Sequence, residues 1–166
     1  SLSPISVDDP DHFYPAEAEM AAALSGLGEL PLIGFGCMQW LARNAGLDPD
    51  TYVKPSPIHA IAAIGAAAFG DHEALLLAAE CLVLRGECLP PLSGMKGEHI
   101  DIRVFEDSVS SIQAVRKAGK ILTQVGIPAK VKGYGIATHS EKRAKLAAAG
   151  VSVFDDVNAA LDVLWR

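Results

Sequence analysis

Apolar and polar residues alternate from Ile100 to Val104 in His99-Ile-Asp-Ile-Arg-Val-Phe-Glu-Asp-Ser108, and Phe105 makes the end of the run apolar. A period of two among β-branched residues predicts a strand entering a packed core. The run stops on two adjacent carboxylates, Glu106 and Asp107. Ser108 then opens a helical pattern through Val109, Ile112 and Val115 that reaches about Val125. A second strand is predicted over Val131–Ala137, with Gly133 and Gly135 inside it, and a third over Val151–Phe154. Between them, Thr138-His-Ser-Glu141 reads as a capping box that starts a helix, and Gly150 ends that helix. Asp155 or Asp156 caps a last helix, in which Val157, Leu161 and Leu164 form the packed stripe.

The first half of the chain patterns differently. Residues 1–14 hold two prolines and little periodicity and read as a loop; Pro15 to Leu27 reads as a helix. Leu30-Pro-Leu-Ile-Gly-Phe-Gly36 is predicted as a short buried strand, followed by a helix from Cys37 to about Ala45. Ser56 is set up as an N-cap and Pro57 as the first residue of a helix that runs to Phe69. Asp71 caps a further helix to Arg85, burying Leu75, Leu76, Ala79 and Leu82, and a loop with Pro90-Pro91 follows. The closing strand-helix repeat predicts an α/β fold with a parallel sheet and right-handed crossovers. The expectation is one domain over residues 1–166, with a loop and helix at 1–29 and an inserted helix and loop at 70–97.

Composition narrows the function. Half of the 166 residues are apolar, enough for a real core, and a net charge of -6 argues against a nucleic-acid partner. Ten of the fourteen Lys and Arg lie between Lys96 and Lys145, against five acids. That suits an anionic ligand, although a solvated helix surface is the commoner cause. Cys37, Cys81 and Cys88 lack metal-type spacing and point to reduced thiols in a cytoplasmic protein; Cys37 suits a packed position better than a reactive one. The apolar run Ile58–Phe69 is too short to span a membrane, and no signal peptide is visible. Gly133-Tyr-Gly135 lacks the third glycine of a dinucleotide fingerprint, and no Gly-Lys-Ser/Thr phosphate loop is present.

Two places carry candidate chemistry. Glu106 and Asp107 end a strand at the carboxyl edge of the sheet, where open α/β folds bind ligands. Two carboxylates there suit Mg²⁺; alternatively, Asp107 or Ser108 caps the helix that follows. Lys54 sits on a proline-braced corner, Lys54-Pro-Ser-Pro57, where its ammonium can neutralise a phosphate or carboxylate; the alternative is a solvated lysine. Thr138 and His139 also end a strand, where a lone His is more often structural.

In this order, Lys54-Pro-Ser-Pro57 and Val104-Phe-Glu-Asp-Ser108 with Ile112 and Ala118-Gly119 resemble the later motifs of haloacid dehalogenase-like phosphohydrolases. The ending Gly135-Ile-Ala-Thr138, Leu146–Gly150 and Phe154-Asp-Asp-Val157 is similar to that family's last strands, so the resemblance covers residues 30–166. It implies a Rossmann-like three-layer sandwich, here incomplete at the first strand. It also implies Mg²⁺ held by Asp107 and Glu106, a catalytic and phosphate-binding Lys54, a lesser phosphate contact from Ser108, and a small phosphorylated substrate.

The chain departs from the family twice. The nucleophile segment D-x-D-x-T/V is not found, Asp9-Pro-Asp11 being a poor substitute, and Gly36 and Cys37 stand where the family has a Ser or Thr. Three readings stay open. The chain is the carboxyl-terminal part of a longer phosphohydrolase and inactive alone, a degenerate relative that binds without turnover, or an unrelated α/β domain. A missing edge strand leaves sheet backbone unpaired and favours association with a second copy.

Overall fold

The computed structural model describes residues 17–53, 55–70 and 73–164. The chain divides into two compact units, residues 1–96 and 97–166.

In the first unit the described elements are α1 (Glu17–Leu24), α2 (Phe35–Ala45), α3 (Pro57–Phe69) and α4 (Glu73–Arg85), with 3-10 turns at Pro49–Thr51 and Leu92–Met95. The strand expected over Leu30–Gly36 does not form. Gly34 is an extended N-cap, and α2 starts directly at Phe35. Cys37, Met38, Leu41 and Ala42 are then buried at helical spacing, which a short apolar run followed by glycine cannot announce. Ser56 and Pro57 start α3 as their chemistry predicts, with Ser56 Oγ accepting from the Ile58 N–H. Leu75, Leu76, Ala79 and Leu82 line the buried side of α4, which packs on α3. Each such leucine contributes about 1.5–3 kcal/mol by leaving water. Asp71, the expected cap of α4, lies outside the described residues, as do Pro15 and Asp9-Pro-Asp11. Cys37 is fully buried and packs as a small apolar side chain.

The second unit is mixed α/β. It runs β1 (Ile100–Glu106), α5 (Val109–Gln124), β2 (Ala129–Ile136), α6 (Ser140–Ala148), β3 (Ser152–Phe154) and α7 (Val157–Leu164). The described strands form one parallel sheet in the order β1-β2-β3, flanked by helices. Val104 pairs with Gly133 and Glu106 with Gly135, so the strands finish on a common rim.

One sheet face takes α5 and α6. A Cβ on Gly133 would stand 3.0 Å from Ile112 of α5, and one on Gly135 would stand 3.0 Å from Leu146 of α6. Glycines there let both helices lie close to the strands. The core between them is Ile112, Ala137, Leu146 and Val151, with Val104, Val109 and Val153 packed against it. On the other face, Phe105 stacks on Tyr134 at 5.1 Å between centroids, Phe154 lies 6.1 Å from Tyr134, and Lys132 approaches the Tyr134 ring.

Helix starts correct two expectations. α6 begins at Ser140 with His139 as N-cap and no side-chain cap bond, so the Thr138–Glu141 box does not close. Glu141 instead pairs with Lys145 one turn on, at 2.7 Å. In α7, Leu161 and Leu164 are half-buried as expected, but Val157 is exposed and Ala160 is buried in its place. Among the described residues, no helix is long and apolar enough to cross a membrane.

Candidate functional site

The carboxyl rim of the three strands gathers Glu106, Asp107, Lys142, Arg143 and Asp155. Glu106 is the last residue of β1 and is half-buried. Asp107 follows in a bend, and its Oδ2 lies 2.6 Å from the Lys142 ammonium. Both side chains are about half exposed, at 58% and 54%. An exposed pair of this kind contributes about 0.2–1 kcal/mol.

Ser108 is the N-cap of α5. Its Oγ accepts from the Ser111 N–H at 3.3 Å and shares a hydrogen bond with Ser111 Oγ at 2.7 Å. The capping alternative therefore applies to Ser108 and not to Asp107. With one lone pair on the backbone and a hydroxyl partner at hand, Ser108 is committed to the helix start. Any phosphate contact from it would compete with that role.

Lys142 reaches Asp107 because of where α6 begins. The helix leaves the end of β2, the middle strand, so its first turn stands between the ends of β1 and β3. Arg143 points to the β3 side. Its guanidinium donates to the Ala137 carbonyl at 2.8 Å and pairs with Asp155 just after β3. Asp156 caps α7, accepting from the Ala159 N–H at 2.8 Å. One helical turn thus spans the rim, with an ammonium to one side and a guanidinium to the other.

Asp155 entered the sequence reading only as a possible cap of the last helix and within the family's closing motif; Lys142 and Arg143 were not singled out, the basic stretch being assigned to a solvated helix surface. The available signal was their place, on the first turn of a helix leaving a strand's carboxyl end. Lys54 lies outside the described residues. The structure thus brings Asp107 to the rim beside Glu106 and Ser108, and adds Lys142.

The donor set bears on a metal. Mg²⁺ commonly takes one or two carboxylates and completes its shell with water and phosphate oxygens. Glu106 and Asp107 supply hard oxygen donors of that kind at the carboxyl rim of the sheet. Among the described residues, no group of three or more His, Cys, Asp or Glu could hold a metal ion without such outside ligands. Two carboxylates alone would hold Mg²⁺ only with further oxygen ligands from outside this pair.

Comparison with known proteins adds no assignment: no family model, curated protein or solved structure matches the chain.

Proposed function

We propose that the chain is a haloacid dehalogenase-like α/β domain serving Mg²⁺-dependent hydrolysis of a phosphate ester in the intact protein. One observation carries the reading. The Glu106-Asp107 pair ends a parallel strand, and a Ser108-capped helix begins at the next residue. That is the place and order the sequence resemblance requires of its acidic motif.

On this reading Asp107 and Glu106 hold Mg²⁺, which when bound neutralises charge on the phosphoryl oxygens. Phosphoryl transfer depends on such neutralisation and alignment more than on covalent chemistry from the protein. The nucleophilic Asp is not among the motifs identified in this chain, so the 166-residue chain is inactive by itself.

The test is turnover of p-nitrophenyl phosphate by the intact protein. We expect Mg²⁺-dependent activity, with kcat/KM falling by about 100-fold or more in Asp107→Ala. Undiminished turnover in that variant would remove the assignment.

A second reading has its own support. The Asp107–Lys142 ion pair supplies a counter-charge from within the chain. A degenerate relative that binds a phosphorylated molecule without cleaving it would carry such a replacement for the metal. It predicts no turnover by the intact, folded protein under any divalent ion.

A further inference from the structure

We propose that α4 joins two copies of this chain, which pair their α4 helices in parallel along a seam of Ala74, Leu77, Cys81 and Leu84. The seam lies wholly in the first unit and does not rest on the phosphohydrolase reading.

α4 is apolar on both sides. Leu75, Leu76, Ala78, Ala79 and Leu82 are buried. On the other side Leu77 and Leu84 are exposed, at 43% and 52%, and Ala74 and Cys81 are half-buried. A helix on a protein surface normally gives water a polar face. Here the charged residues of α4 are Glu73, Glu80 and Arg85. The exposed leucines are not scattered either. Together with Leu47 and Leu89, which are also exposed, they line one groove of about 600 Å³. A contiguous apolar surface of this kind marks an interaction site.

Spacing and charge identify what covers it. Ala74, Leu77, Cys81 and Leu84 recur at intervals of three and four, the spacing of a two-stranded helical seam. Glu80 flanks that seam on one side and Arg85 on the other, and both line the groove. In a parallel pair the two flanks meet. Glu80 of each copy then lies beside Arg85 of the other, and symmetry makes the contact twice. In an antiparallel pair Glu80 would meet a second Glu80 near the axis. The face is therefore its own complement in one orientation. Glu80 is also held in place for the contact. Tyr52 donates to its Oε1, which leaves Oε2 to accept from a guanidinium.

The experiment is analytical ultracentrifugation of the full chain. A seam of about two heptads gives a small interface, so a reversible monomer–dimer equilibrium should appear between about 10 and 500 µM. Leu77→Asp/Leu84→Asp should stay monomeric over that range. Its urea midpoint should stay near wild type, because both side chains are exposed. Arg85→Glu should weaken the dimer by about fivefold or more, since it replaces two attractions by two repulsions. Arg85→Lys should stay near wild type.

Orientation has its own test. In a Cys81→Ser/Cys88→Ser background, Leu84→Cys should cross-link to itself under mild oxidation, because matching positions face each other in a parallel pair. Cross-linking of Leu84→Cys only to Leu77→Cys would mean an antiparallel pair and would overturn the proposal. A wild-type chain that stays monomeric up to about 500 µM overturns it too, and leaves the groove to a partner of another kind. A dimer that survives Leu77→Asp/Leu84→Asp also overturns it, because the copies then meet elsewhere, as at the edge of the sheet.

Discussion

Tyr52 shows how much one side chain can decide. It closes the 3-10 turn at Pro49–Thr51, is fully buried, and donates its hydroxyl hydrogen to Glu80 of α4. Burial first, then the hydrogen bond and the negative charge of Glu80, push its pKa well above the usual tyrosine value. An unfolded tyrosine ionises at about pH 10. Above that pH the unfolded chain gives up a proton that the native chain keeps, so stability falls as pH rises toward the folded pKa. Tyr52→Phe should cost about 1 kcal/mol at neutral pH, where it deprives Glu80 of its donor. The variant should also lose less stability than wild type over the alkaline range. Urea denaturation at about pH 7, 9 and 11 checks both, and parallel losses in the two proteins would reject the titration account. Caps were the most legible single residues. Ser56, Ser108 and Asp156 each stand just before an apolar helical pattern, and each accepts from a backbone N–H two or three residues on. Thr138–Glu141 had the same spelling and failed, because Glu141 found Lys145 and the helix started one residue later. The partner of Asp107 was not legible, since nothing local ties residue 107 to residue 142.

Elements were readable in proportion to their periodicity. β1 alternates exposed and half-buried positions from Ile100 to Val104, as its spelling requires, and α5 buries Ile112, Ala118 and Leu122. Leu30–Gly36 failed because a short apolar run has no period of its own, and its neighbours in space decide its state. Helix-on-strand contact is governed by small residues. A Cβ on Gly119 of α5 would stand 2.5 Å from Val131 Cγ2 of β2. Valine is stiff at χ1 and cannot swing aside cheaply. Overpacking of this kind costs about 1–3 kcal/mol, and alanine returns about 1 kcal/mol of helix propensity. Gly119→Ala should therefore lower stability by about 1 kcal/mol net in a urea titration. In a Val131→Ala background the same substitution should become neutral or stabilising by up to about 1 kcal/mol. Equal effects in both backgrounds would mean that the helix does not press on Val131.

At the scale of the whole molecule, composition predicted an ordinary core but could not place the division between the two units. The boundary falls at Lys96-Gly97, in a stretch that the sequence marked only as a loop. Met95 on its amino side is buried, residues 96–99 are exposed, and β1 begins at Ile100. Two backbone bonds hold the stretch, from the Lys96 N–H to Ser93 and from the Gly97 N–H to Gly126. Domain boundaries are where few contacts cross, and proteases need a segment that can open without unfolding a core. Lys96 should therefore be an early tryptic site in this half of the chain. The other nine Lys and Arg between residues 96 and 145 lie on β1, α5, β2 and α6, where cutting requires an element to unravel. Limited trypsin digestion followed by intact-mass spectrometry should thus give complementary products ending at Lys96 and starting at Gly97 before any cut between Arg103 and Lys145. First cuts on α5 or α6 would instead mean that those helices open more readily than the boundary, and that the second unit is the softer part of the molecule.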